Sequence, residues 1–299
     1  MGVNVSLCKL TFYVNLMLSK STIFLVTGST GLLGRYLVNE AGKYGKVFGV
    51  ARSKSNFDCD LTKIEEVRSM IATIKPDVIL HAAAMVDIDV CENDQKNAWA
   101  NNVLAVNNLL KVISPDSCMV FLSSVAVYPD IKGPHKENIE GPVNYYGHTK
   151  LEAEKMIKTH INHLIFRGAM FGPSKSKSRM SLSDFIIERL SKNKPVTLFD
   201  DELFSPLHLS SFSKIILISV NKGLQGTFNI GSQGGMSKAE FGFKIADHLG
   251  LSTDMVSKRA STEISGRSKR AIDMRLDSSS LEKNLNYSMP TLIEEIKKL

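Results

Sequence analysis

The sequence predicts an α/β fold of the Rossmann type, a doubly wound parallel sheet with helices on both faces, followed by a smaller C-terminal substrate-binding lobe. Three observations predict it. Short apolar runs alternate with stretches of helical period. A glycine-rich turn directly follows the first apolar run, and the alternation weakens beyond Arg167, where Pro173, Pro195 and Pro206 punctuate shorter mixed segments.

Taken in order, residues 1–19 read as an N-terminal extension. Its apolar stretch is broken by Asn4, Ser6, Lys9 and Asn15, too often for a membrane-spanning helix, and no small-residue cleavage site separates it from the first strand. Strand-like runs follow at 22–27, 47–51, 78–81, 119–123 and 163–166, with helix-like stretches at 32–44, 64–74, 96–113 and 145–161. We therefore assign 20–167 to a nucleotide-binding domain, to which 205–225 returns. The lobe takes 168–204 and 226–299. Within it, Ser237 and Glu240 form a capping box that opens a helix over 238–249, and another helix-like stretch closes the chain at 291–299.

Composition narrows the function classes. Lys and Arg number 37 against 30 Asp and Glu, but the charges are interspersed and no aromatic-plus-basic motif accompanies them, which argues against a nucleic-acid partner. Cys8, Cys59, Cys91 and Cys118 lack CxxC spacing and nearby histidines, so neither a metal site nor a disulfide framework is expected, and a reducing cytoplasm is the expected compartment. No membrane association is expected either, and a homodimer is left open.

The turn Thr27-Gly-Ser-Thr-Gly-Leu-Leu-Gly34 sits between the first strand and first helix, the context that gives a glycine motif weight. Gly28 suits the tight turn, Gly31 a close backbone approach to a pyrophosphate, and Gly34 tight helix packing. Thr30, Gly31, Leu32 and Leu33 then present helix N-terminal N–H groups to the phosphates of a dinucleotide. After the second strand the chain reads Ala51-Arg-Ser-Lys54, with no acidic residue for a ribose diol. Arg52 instead suits a 2′-phosphate, so NADP is expected over NAD, although a solvated loop cation would read the same. Asp60, followed by Leu61, suits either an adenine contact or a cap on the next helix.

Tyr146 and Lys150 stand at i and i+4 of a predicted helix, so they share a face. A neighbouring ammonium favours the phenolate and makes the tyrosine a usable acid or base near neutrality. Ser124 ends the preceding strand at the carboxyl edge, where open α/β sheets bind ligands, and its hydroxyl suits a substrate carbonyl oxygen. Ser123 competes for that role. Tyr128 suits either a pocket wall or plain packing, and Lys258, Arg259, Arg267, Lys269 and Arg270 either grip a diphosphate or form a solvated basic loop.

In the order and spacing of Thr27 to Gly34, His81-Ala-Ala-Ala84, Asn102, Ser124 and Tyr146/Lys150, the chain resembles the extended short-chain dehydrogenases. Val86-Asp-Ile-Asp-Val-Cys-Glu92, Phe199-Asp-Asp-Glu-Leu-Phe-Ser-Pro206 and Arg275-Leu-Asp-Ser-Ser-Ser-Leu281 make it most similar to the dTDP-4-dehydrorhamnose reductase branch. The resemblance implies NADPH-dependent reduction of a 4-keto nucleotide diphosphate sugar. Tyr146 would be the proton donor, Lys150 would hold the nicotinamide ribose, and Ser124 would position the keto oxygen. It further implies that Ala82, Ala83 and Ala84 line the cofactor, that Asn102 joins the cofactor site by supporting the helix geometry beside it, although a helix-surface amide would read the same, and that Val86, Val125, Tyr128 and Arg270 belong to the substrate side. Two departures touch the sugar pocket. Ser124-Val-Ala stands where the reductase branch usually has Thr-Asp-Tyr, and the run Arg167-Gly-Ala-Met-Phe-Gly-Pro173 lacks the aromatic residue expected after Arg167 and has one residue fewer than usual before the glycine. A nucleotide-sugar epimerase retaining NAD and a non-catalytic NADP-binding regulatory subunit are the alternative readings.

Overall fold

A computed structural model describes residues 18–174 and 180–299; the expected N-terminal extension, up to residue 17, lies outside the described residues. The first half runs β1 (Ile23–Thr27), α1 (Leu32–Ala41), β2 (Lys46–Ala51), β3 (Phe57–Asp58), α2 (Ile64–Ile74), β4 (Val78–His81), α3 (Ile88–Asn93), α4 (Gln95–Trp99), α5 (Ala105–Leu110), β5 (Cys118–Leu122), α6 (Tyr145–Ile157) and β6 (His163–Gly168). The second half runs β7 (Met170–Phe171), α7 (Leu182–Ser191), β8 (Val196–Phe199), β9 (Leu203–Phe204), β10 (Leu207–His208), α8 (Leu209–Asn221), β11 (Gly226–Ile230), β12 (Met236–Ser237), α9 (Lys238–Leu249), β13 (Val256–Arg259), β14 (Asp273–Met274), α10 (Ser279–Leu285) and α11 (Leu292–Ile296).

Seven strands form one parallel sheet in the order β11-β6-β5-β4-β1-β2-β3. The order reverses between β1 and β4, which opens a crevice at the carboxyl ends of those strands. The central strands are mostly apolar and buried beyond their first residues, as two-sided coverage requires. Leu37 and Ala41 of α1 pack with Phe212, Ile215 and Ile216 of α8 on one face. Val67 and Met70 of α2, Val106 and Leu109 of α5, and Ala153 and Ile157 of α6 cover the other. A separate apolar cluster joins Ile186, Val196, Phe204, Phe241, Ile245 and Leu292, the core of the C-terminal lobe.

Several element boundaries differ from the sequence reading, three of them in ways that bear on the architecture. β11 lies in the main sheet, although 226–299 reads as lobe; its five residues pair with β6. The single helix expected over 96–113 is broken by a π-turn at Ala100–Leu104, because Asn102 turns inward to bond the chain after β4. The helix expected to reach residue 161 stops at Ile157, where the N–H groups of Thr159 and His160 close on the carbonyls of Met156 and Ile157, three residues back.

Candidate active site

A cleft of about 570 Å³ lies along the carboxyl edge of the sheet, within the size range of small-molecule sites. Its first wall is the turn after β1. Gly28 holds φ +65, and a Cβ there would stand 2.8 Å from the backbone of Ala83, so the turn fits against the chain leaving β4 only without a side chain. Gly31 caps α1 without a side-chain hydrogen bond, and no acidic residue occupies the first turn. The N–H groups of that turn and the positive end of the helix dipole therefore face the cleft, which Gly28, Thr30, Gly31, Leu32 and Leu33 all line. This bare backbone cradle fits a dinucleotide's pyrophosphate.

At the ribose end, Arg52, Asp60 and Leu61 line the cleft. Burial would raise the Asp60 pKa, but hydrogen bonds from Thr62 and the nearby Lys63 and Arg52 charges hold it below the usual carboxylate range. Asp60 Oδ1 accepts from Thr62 N at 3.0 Å and Thr62 Oγ1 at 2.8 Å. It shapes the turn before α2 and does not cap that helix, whose N-cap is Lys63. Asp58 turns back to accept from Ser55 N and Oγ.

Ala82, Ala83, Ala84 and Val86, on the chain leaving β4, form the next wall. Asn102 itself is buried and is not among the cleft-lining residues, correcting both its placement against the cofactor and the helix-surface alternative. Its side chain accepts from Met85 N at 2.8 Å and donates to Met85 O at 2.9 Å and to Thr149 Oγ1 at 3.0 Å. It thereby ties the alanine-lined wall to α6, where Thr149 lies between Tyr146 and Lys150.

Ser124, Val125, Tyr146 and Lys150 close the cleft. Ser124 Oγ accepts from Ala126 N at 3.1 Å and caps the short turn Val125–Val127. Asn144 caps α6 by accepting from Gly147 N at 2.8 Å. A Cβ on Gly147 would lie 2.0 Å from Ala126 O, so the glycine lets the start of α6 press against the turn after Ser124. Tyr146 is 8% exposed and Lys150 2%. Lys150 Nζ donates to Leu122 O at 2.6 Å and lies 3.9 Å from the centroid of the Phe121 ring. Burial pushes its pKa down to about 7, while the Glu154 carboxylate opposes the fall.

The competing Ser123 lines the cleft, yet its hydroxyl donates to Glu154, which pairs with Arg167 at 2.6 Å; both charges are wholly buried. Tyr128 is not a pocket wall. It is fully buried, stacks on His135 at 4.7 Å and donates to Asn229 Oδ1. Nor is Arg270 among the cleft-lining residues: it pairs with Asp89 at 2.8 Å and holds that carboxyl well below its usual range. Arg259 pairs with Glu263, Arg267 with Glu202 and Lys269 with Asp130, whereas Lys258 lies over the Phe243 ring. Sequence reasoning missed Ser53, Thr62, Asn101 and Gly168 to Met170 in the lining. Gly168 ends β6 and Ala169 and Met170 follow it at the same carboxyl edge, so the edge rule that found Ser124 reaches them too.

Among the described residues no group of three His, Cys, Asp or Glu side chains could hold a metal, and no helix is long and apolar enough to cross a membrane. A family model described as the RmlD substrate binding domain matches residues 22–299. A probable low-salt glycan biosynthesis reductase of Haloferax volcanii is 27% identical over 287 residues, which cover 92% of this chain and 96% of that protein. Methionine adenosyltransferase 2 subunit beta of Xenopus laevis is 28% identical over 273 residues, 87% of this chain and 81% of that one. Among solved structures, a dTDP-4-dehydrorhamnose reductase from Bacillus anthracis in complex with NADP is similar with a TM-score of 0.85 at 20% identity, covering 93% of this chain and 98% of that one.

Proposed function

The chain belongs to the RmlD substrate-binding-domain family, and from that premise we propose that it is an NAD(P)-dependent oxidoreductase of the extended short-chain dehydrogenase type that uses NADPH to reduce a 4-keto nucleotide sugar. One observation carries the reading: Ser124, Tyr146 and Lys150 line the same cleft as the bare helix N-terminus at Gly31 and the cationic tip at Arg52.

When bound, a reduced nicotinamide supplies the hydride. Everything else falls to the chain. Tyr146 donates its phenolic proton to the sugar oxygen as negative charge develops there, and Ser124 hydrogen-bonds the same oxygen. The Lys150 ammonium, one turn along α6, stabilises the phenolate that remains. Val86 and Val125 give the sugar an apolar surface beside these groups. Arg52, with no carboxylate at the tip of β2, favours a 2′-phosphate and so NADP over NAD.

The test is an assay with a 4-keto-6-deoxy nucleotide sugar, in which NADPH absorbance should fall in step with a product reduced by two electrons. Redox-neutral interconversion of sugar nucleotides on tightly held NAD would instead favour an epimerase, the reading supported by Ser124-Val-Ala. Tight dinucleotide binding without turnover on any sugar nucleotide would favour a non-catalytic subunit; the Xenopus relative is named as a subunit of a methionine adenosyltransferase.

A further inference from the structure

The floor beneath Lys150 is a row of side chains running across the sheet. Thr27, His81, Phe121 and Ile165 are direct register partners on β1, β4, β5 and β6. Thr27 Oγ1 lies 2.7 Å from His81 Nδ1, and the His81 imidazole stacks on the Phe121 ring with 5.8 Å between centroids and 17° between planes. The Lys150 ammonium sits over that ring. Every member of the row is buried, as is Lys150 itself.

We propose that Phe121 is a positioning residue for proton transfer: its ring face, stacked on the uncharged imidazole of His81, seats the Lys150 ammonium beside Tyr146 and holds it in the charged form. The inference rests on the reading of Tyr146 and Lys150 as the proton-transfer pair. A buried ammonium has lost most of its hydration, and the Leu122 carbonyl replaces only part of it. The negative face of an aromatic ring supplies a second, non-directional stabilisation that grows as water is removed. An aliphatic residue at 121 would keep the position apolar within the cluster that includes Met119, Ala153 and Ile165 but would offer the cation nothing.

Among the charged groups around Lys150, the Glu154 carboxylate also favours the ammonium, but no salt bridge joins the two, so direct contact falls to the Leu122 carbonyl and the ring. Tyr146 and Glu154 share its helix, and the Glu154 carboxylate is already bonded to Arg167 of β6 and to Ser123. His81 of β4 is kept neutral, its pKa pushed down to about 3 by burial and by the Lys150 charge. A protonated imidazole there would set a second cation against the same ring, so the row works only with His81 uncharged.

The experiment replaces Phe121 with mono- and trifluorinated phenylalanine, which keep the ring's shape while draining its negative face, and compares them with Phe121→Leu. The titration midpoint of Lys150 is read by NMR of isotope-labelled lysine in substrate-free protein. It should fall stepwise with fluorination, by about one pH unit for the trifluorinated ring and for Phe121→Leu. The alkaline limb of kcat/KM should move in the same direction. A Lys150 midpoint unmoved in a folded trifluorinated protein would overturn the proposal. Because the NMR titration needs no substrate, absence of reductase turnover would count against the proposed function alone.

Discussion

At the scale of single residues, the site separates positions whose role is local from positions whose role depends on a distant partner. The glycine turn and the Tyr146/Lys150 spacing are legible in the sequence, because a positive φ at Gly28 and an i, i+4 face on α6 are constraints written over a few neighbouring residues. Tyr128 and Arg270 are not. What decides them is Asn229 and Asp89, 101 and 181 residues away. Tyr146→Phe should leave dinucleotide affinity nearly intact and lower turnover by about 10²-fold or more, compared by binding titration and steady-state kinetics. Arg52→Ala should weaken NADPH binding by about 1.5 to 3 kcal/mol and leave NADH almost untouched; equal losses for both would assign Arg52 a general role. Lys150 makes a prediction of the opposite kind, on stability. Its pKa falls from 10.5 to about 7 on folding, so between those values the unfolded chain binds the extra proton and stability rises with pH. Lys150→Met removes that slope. From pH 7 to pH 9 the wild type should therefore gain on the order of 2 kcal/mol relative to the variant, measured by denaturant unfolding at each pH.

At the scale of elements, the helix-like period over 96–113 hides a break that periodicity alone does not reveal. The π-turn at Ala100–Leu104 adds a residue to one turn and swings Asn102 inward, where its amide satisfies both backbone groups of Met85. One side chain thus fixes the path of the chain leaving β4 and the seat of α6. Asn102→Ala should cost about 1 to 3 kcal/mol, since the part-buried N–H of Met85 loses its partner and its C=O keeps only the weak 3.4 Å bond from Cys91 Sγ. In a chain of this size that is a fall in Tm of several degrees, read by calorimetry. The same variant should bind dinucleotide more weakly, because Ala82 to Ala84 lose their anchor; unchanged affinity together with a lowered Tm would confine Asn102 to stability.

At the scale of the whole molecule, the reversal of strand order between β1 and β4 collects residues from Gly28 to Met170 into one cleft. The alternation of strands and helices makes that architecture legible. The return of the chain to the sheet is only partly so: α8 falls within the stretch 205–225 that reads as returning, whereas β11 is a five-residue strand whose membership depends on pairing with β6, not on any local pattern. The position of β11 also sets a constraint in time. A ribosome releases β6 nearly sixty residues before the strand that covers its open edge, and until residue 226 emerges β6 presents unpaired backbone beside the buried Arg167. The nascent chain therefore passes through a stage with a nucleotide-binding half already threaded and one sticky flank. A chain stopped at residue 225 should partition into the insoluble fraction, and one carried through Ile230 should be markedly more soluble, as a sedimentation assay of translation products would register.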